Sequence, residues 1–144
     1  MTKILIIENC RDKIIIIKNL LSILVPEYDV LISETGTTGI KTAQDQLPEL
    51  IILNESLEDM DTLDVCKSLK SDINTKNIPL IVIISGKTDN KSKFIKIGVE
   101  GLVFSPISKL ELSTQLNILL RLKHAEDILR NKKDTLQSFI LEKS

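Results

Sequence analysis

Aromatic residues, histidine and cysteine are scarce in this sequence of 144 residues. Tryptophan is absent, aromatic residues make up 3%, and there are one histidine and two cysteines. Cys10 and Cys66 form no CxxC or Cys/His cluster, which excludes a structural zinc site and predicts free thiols in a reducing compartment. The isolated His124 has no partner motif, so we expect it on a solvated helix face.

The sequence also lacks an excess of either charge and lacks long hydrophobic runs. Lys and Arg total 19 and Asp and Glu total 20, a net charge of −1 that argues against a dedicated nucleic-acid binder. The first apolar run covers only residues 4–7, too short for a signal peptide or a membrane span. We therefore predict a cytoplasmic protein without a nucleic-acid or membrane partner.

Branched aliphatic residues are abundant. The chain contains 23 Ile and 22 Leu, while charged residues amount to an ordinary 27%. The length suits one compact domain, and its core must be built from aliphatic side chains, of which the β-branched ones favour strands.

Short apolar runs alternate with stretches of helical periodicity. Strands are predicted at residues 3–7, 30–32, 50–53, 80–84 and 102–104. Helices are predicted at residues 11–25, 37–46, 60–70, 90–97 and from 109 to the C-terminus. Pro26 is expected to stop the first helix, Gly39 to interrupt the second, and Ser108 to cap the last.

This β-α order, repeated five times, predicts a parallel sheet with helices on both faces. Residues 50–53 and 80–84 are apolar without alternation, as strands buried on both faces are. The predicted fold is α/β, a flavodoxin-like doubly wound five-stranded sheet of order 2-1-3-4-5 with an extended C-terminal helix. Sites in such sheets lie at the carboxyl ends of the strands, here near residues 8–9, 54–60, 85–86 and 105–106.

Four separated strings, KILIIEN, PELIILN, IPLIVIISG and GVEGLVFSP, resemble the receiver domain of bacterial two-component response regulators over about residues 3–120. The resemblance implies a set of reactive positions. Two acids after the first strand would hold magnesium, and an aspartate after the third strand would accept a phosphoryl group. A hydroxyl after the fourth strand and a lysine before a proline after the fifth would grip the phosphorylated form.

The chain departs from that pattern at the reactive positions. The acidic pair reads Glu8 and Asn9, the acceptor position is Asn54, and the lysine position is Ser105. An amide nitrogen is conjugated to its carbonyl and is not a nucleophile for phosphoryl transfer. The resemblance therefore indicates a degenerate pseudo-receiver that lacks the phospho-acceptor aspartate.

Two further positions follow from the resemblance. Counting from Pro79 without a gap puts the switch hydroxyl position at Ile84, and allowing one extra residue puts it at Ser85. Receivers typically carry a cis peptide before the proline of the fifth strand, so the Ser105–Pro106 bond is predicted to be cis.

The function implied by the resemblance is a phosphorylation-independent protein-interaction module in two-component signalling, not an enzyme. Its partner would be a histidine kinase, another receiver or an output domain. The alternative is a receiver that retains residual phosphotransfer or binds Mg²⁺. The weak metal candidates are Glu8 and Glu55; Glu55 should point the opposite way along the strand. No cofactor is expected, because a solvated acidic loop explains these residues more simply.

The last helix runs past the end of the resemblance. We predict a receiver-like domain at 1–120 and a helical extension at 121–144 that serves as a coiled-coil linker or a homodimerisation segment. An amphipathic helix folded back on its own domain is the alternative. With Leu122 at position a, the six heptad a and d positions are Leu122, Ala125, Leu129, Lys132, Leu136 and Phe139, and all of them except Lys132 are apolar.

Overall fold

A single parallel sheet organises the protein. The computed structural model describes residues 2–25, 27–86 and 89–143, with side chains in the last helix described as far as residue 129. The sheet has the order β2-β1-β3-β4-β5, and all four strand pairs are parallel. The predicted fold class and strand order are therefore confirmed. The strands are β1 (Thr2–Ile7), β2 (Tyr28–Ser33), β3 (Leu50–Asn54), β4 (Leu80–Ser85) and β5 (Gly101–Ser105).

Helices cover both faces of the sheet. In the part of the chain that the structure describes, no helix is long and apolar enough to cross a membrane. The helices are α1 (Arg11–Leu24), α2 (Gly36–Gln46), α3 (Thr62–Ser71), α4 (Lys91–Ile97) and α5 (Lys109–Lys143).

The sheet separates two aliphatic cores. On one face, side chains such as Ile17 of α1 and Leu116 of α5 pack against alternate residues of the strands. On the other face, residues such as Val65 of α3 and Phe94 of α4 pack against the intervening strand residues. All five residues of β3 are buried, as expected for a central parallel strand covered on both faces.

Two predicted helix features are wrong. The third helix was expected to start at Met60, but it begins at Thr62 because the Asp61 carboxylate accepts a hydrogen bond from the Leu63 N–H at 3.0 Å and caps it. Gly39 does not interrupt α2. A Cβ atom there would lie 2.5 Å from Ile7 Cδ1, so glycine allows the helix to approach β1 closely.

Other helix ends follow the predictions more closely. The Ser108 Oγ accepts a hydrogen bond from the Glu111 N–H at 3.3 Å, which confirms Ser108 as a cap of α5. Helix α1 ends at Leu24, and the Val25 N–H donates to the Leu21 carbonyl. Pro26, the predicted stop signal, lies outside the described residues.

Candidate functional site

Two buried polar residues meet where β1 and β3 end. Glu8 follows β1 and Asn54 is the last residue of β3, and both are buried. Strand β1 lies between β2 and β3, so this edge is the topological switch point of the sheet, where ligands of doubly wound folds bind.

A short hydrogen-bond network connects these residues. Asn54 Nδ2 donates to Glu8 Oε2 at 2.5 Å, and the Cys10 N–H donates to Glu8 Oε1 at 3.1 Å. The Ser56 N–H donates to Asn54 Oδ1 at 2.9 Å, which fixes the orientation of the amide. Both oxygens of the Glu8 carboxylate therefore have a hydrogen-bond donor supplied by the protein itself.

Glu55, the second metal candidate, is engaged elsewhere. Its Oε1 accepts a hydrogen bond from the Ser85 N–H at 2.5 Å, and its own N–H donates to the Ile83 carbonyl. Glu55 thus binds the end of β4, whereas Glu8 binds Asn54 and the Cys10 N–H in the loop that follows β1. Within residues 2–25, 27–86 and 89–129, no three His, Cys, Asp or Glu side chains are grouped so that they could hold a metal ion.

The two candidates for the hydroxyl position have different surroundings. Ile84 is fully buried in the core beneath α2, α3 and α4. Ser85 ends β4, is partly buried, and pairs in register with Ser105 of β5. The assignment of the hydroxyl position to Ser85 or Ile84 remains a prediction.

A cavity of about 190 Å³ opens beside the buried pair. The peptide bond between Ser105 and Pro106 at its wall is cis, which confirms the isomer that the resemblance to receivers implies. The residues that line the cavity are Glu8, Lys13, Ile16, Asn54, Ile83, Ser105, Pro106 and Ile107. Asn9 is half-buried and is not part of this lining.

The side chain of Lys13, a cationic group that lines the cavity, was not predicted as a site residue from the sequence. Lys13 comes from the first turn of α1, not from the end of β5, where Ser105 stands at the lysine position. No motif points to Lys13. The available signal is its place in the helix that follows the switch-point strand.

A second missed contact holds the loop after β3. The Asp59 carboxylate accepts hydrogen bonds from the N–H groups of Gly36 and Thr37, at 2.7 and 3.0 Å, and from the Thr37 hydroxyl at 2.8 Å. These donors at the start of α2 lower the pKa of Asp59 from 3.8 to about 2. The loop between β3 and α3 is thereby attached to the second helix.

This contact predicts an acid-dependent loss of stability. The folded pKa of Asp59 is depressed, so its contribution is present above pH 3.8 and is lost as the pH falls towards about 2. We expect Asp59→Asn to lower the urea midpoint of unfolding at neutral pH. The difference in midpoint between wild type and variant should become smaller in acid. Urea unfolding followed along a pH series measures this, and an unchanged difference between wild type and variant across the series would contradict it.

The sheet order, the switch-point site and the cis proline together define a receiver-type α/β domain. The sequence profile of the response regulator receiver domain matches residues 4–117. The chain therefore belongs to the response regulator receiver domain family.

Curated relatives support the same family. The chain is 32% identical over 119 residues to histidine kinase P4 of Formosa agariphila, an alignment covering 81% of this chain and 8% of that protein. It is 30% identical over 107 residues to response regulator PleD of Caulobacter vibrioides, covering 73% of this chain and 23% of PleD. The chain thus spans less than a quarter of either relative.

Solved structures share the fold. A response regulator receiver domain from Clostridium thermocellum superimposes with a TM-score of 0.78 at 22% identity, covering 87% of this chain and 98% of that one. The receiver domain of sensor histidine kinase PA1611 from Pseudomonas aeruginosa was solved with magnesium in its active-site cleft. It superimposes with a TM-score of 0.73 at 19% identity, covering 85% of this chain and 98% of that one.

Receiver domains are generally signalling modules that interact with histidine kinases and output domains, not enzymes.

Proposed function

We propose that this chain is a degenerate receiver that signals through protein–protein contacts without being phosphorylated. The observation that carries the proposal is the buried hydrogen bond from Asn54 Nδ2 to Glu8 Oε2. Residue 54 presents an amide where the resemblance requires a carboxylate nucleophile, and that amide is already bound on both sides.

The same network argues against a resident magnesium ion. Mg²⁺ is held by carboxylate oxygens in near-octahedral geometry, and it neutralises carboxylates that would otherwise repel each other. Here the Asn54 amide and the Cys10 N–H already occupy one oxygen each of Glu8, while Glu55 is bound to the Ser85 N–H. We therefore propose that the protein needs no cofactor.

Incubation with acetyl phosphate and Mg²⁺ tests the proposal. We expect the intact mass of the protein to remain unchanged, because the Asn54 amide has no nucleophilic lone pair to offer. A gain of one phosphoryl group mapped to residue 54 or 55 would instead favour residual phosphotransfer. Glu55→Gln serves as the matched control: a gain that disappears in this variant would assign the activity to the Glu55 carboxylate.

The proposed partner is a protein: a histidine kinase, another receiver, an output domain, or a second copy bound through the last helix. The division into a domain at 1–120 and an extension at 121–144 also stays a proposal, as does a cytoplasmic location. Helix α5 runs without a break from Lys109 to Lys143, so it connects the domain to the extension.

A further inference from the structure

Helix α5 carries two apolar stripes. The inner stripe, Leu112, Leu116 and Leu119, is buried against the sheet and α1. The outer stripe comprises Ile118, Leu122, Ala125 and Leu129. Ile118 is 53% exposed, Leu122 54% and Leu129 66%, and Ala125 is exposed as well. The outer stripe therefore leaves four aliphatic side chains in contact with solvent, and Leu110 and Ile128 of the same helix are exposed outside it.

The two stripes lie on different sides of the helix. With 3.6 residues per turn, each residue rotates by about 100°, so the centre of the outer stripe lies about 120° around the helix from the centre of the inner stripe. The inner stripe already provides the packing surface toward the domain. The domain does not cover the outer stripe as far as residue 129, since all four of its side chains are exposed. His124, outside this stripe, lies with its Nε2 3.1 Å from Glu49 Oε2 of the domain.

The outer stripe has the spacing of a coiled-coil seam. Its residues follow each other by four, three and four positions, the alternation of heptad a and d sites. In the sequence the pattern continues through Lys132, Leu136 and Phe139, whose side chains lie outside the described residues. The exposed part of the stripe is thus the first portion of a longer seam.

We propose that a second copy of this chain covers the outer stripe, as a parallel, in-register pair of α5 helices. The proposal rests on the interaction role proposed above and names its partner. With Leu122 at position a, Arg121 occupies position g and Glu126 the following e, and both are exposed. A parallel pair brings g beside e of the other helix, so Arg121 meets the partner subunit's Glu126, and the two-fold axis repeats the contact.

The aliphatic residues favour the parallel arrangement over the antiparallel one. In a parallel pair Ile118, Leu122 and Leu129 each meet their own copy. An antiparallel pair that sets Leu122 against Phe139 would place Ile118 against sequence position 143, a lysine. Lys132 at a d site lowers the stability of the parallel pair, and a single polar residue in a seam favours one register. Both domains would then lie at one end of the pair.

A charge-reversal cycle measured by sedimentation equilibrium tests the pairing. We expect the full chain to dimerise, and Arg121→Glu or Glu126→Arg to raise the dimer dissociation constant about 10-fold at low salt, because each places like charges together twice. The double variant should recover most of the affinity. Leu122→Asp should give a monomer, whereas Asn117→Asp, which adds a charge to the same helix outside the stripe, should leave the dimer intact.

A cross-link tests the orientation separately. In a Cys10→Ser background, Ala125→Cys should form a disulfide-linked dimer on copper–phenanthroline oxidation, because parallel in-register d sites face each other. Asn117→Cys should not, and the native Cys66 is buried. A monomeric wild-type chain, a double variant without recovery, or a dimer that fails to cross-link would overturn the proposal. A monomer that also takes up no phosphoryl group would leave the proposed phosphorylation-independent role standing.

Discussion

Asn54→Asp is expected to lower the free energy of unfolding by about 3 kcal/mol at neutral pH. The substitution removes the donor that binds Glu8 Oε2 at 2.5 Å and puts a second carboxylate in its place. Both side chains are buried, so water cannot screen the repulsion between the two carboxylates. The change alters few atoms, and its effect is electrostatic.

The loss of stability should depend on acid and on magnesium. Two carboxylates that share a buried site raise the pKa of one of them in the folded variant. A group with a raised folded pKa stabilises the fold below its unfolded pKa, and this contribution is lost as the pH rises. The difference in the free energy of unfolding between variant and wild type should therefore become smaller in acid and larger towards neutral pH. Millimolar Mg²⁺ should narrow it at neutral pH, since the cation binds carboxylate oxygens.

Urea unfolding with and without Mg²⁺ measures both effects, with wild type and Asn54→Ala as controls. Asn54→Ala loses the same hydrogen bond but adds no charge. Its free energy of unfolding should therefore be lower than that of the wild type and should not change with Mg²⁺. The stability of the wild type should not respond either, because the Asn54 amide already binds Glu8 Oε2 and adds no second carboxylate to the site. An Asn54→Asp protein whose stability is the same at all magnesium concentrations would contradict this account of the site.

Local patterns were sufficient to predict the sheet. The uniformly apolar stretches at 50–53 and 80–84 indicate strands buried on both faces, and the structure places them at the centre of the sheet as β3 and β4. The ends of these strands follow from chain spacing. Glu8 and Asn54 could therefore be assigned to one edge of the sheet before their contact was seen.

The contacts that define the site could not be predicted from such patterns. The hydrogen bond between Glu8 and Asn54 spans 46 positions, and that between Thr37 and Asp59 spans 22. Each depends on side-chain rotamers and on how closely two segments approach, which no periodicity encodes. The direction of Glu55 toward the Ser85 N–H is of the same kind.

Helix α5 shows a different limit. Its two apolar stripes both follow helical spacing, so the sequence left a fold-back helix and a coiled coil open as alternatives. The burial of Leu116 and the exposure of Leu122 separate the two stripes, because only the first belongs to the domain core. The periodicity predicts the seam, and tertiary packing was needed to show which stripe the domain leaves exposed.

Lys70→Met is expected to destabilise the protein by about 2–3 kcal/mol at the end of the sheet opposite the site. Lys70 Nζ donates to the carbonyls of Lys76 and Ile78, at 3.2 and 3.1 Å, and also binds the Glu100 carboxylate. The Leu80 N–H donates to the other Glu100 oxygen at 2.6 Å. One ammonium group thus connects the end of α3, the start of β4 and the loop before β5.

The cost arises mainly from groups that lose a partner. The Lys70 side chain is only 12% exposed and that of Glu100 32%. The variant would leave two carbonyls and a carboxylate without the ammonium group that binds them. Lys67→Met is the matched control, because Lys67 is exposed on the same helix and methionine fits there equally well. Urea unfolding should show a change within about 0.5 kcal/mol for that control.

Adding Glu100→Gln to Lys70→Met separates charge from hydrogen bonding. The amide oxygen of glutamine can still accept from the Leu80 N–H, but it carries no unpaired charge. The double variant should therefore be more stable than Lys70→Met alone, by about 1 kcal/mol. Equal stability of the two would mean that the unpaired carboxylate contributes nothing, and that the loss arises from the Lys76 and Ile78 carbonyls. Because this cluster lies far from Asn54, the effect of Lys70→Met should add to that of Asn54→Asp without coupling.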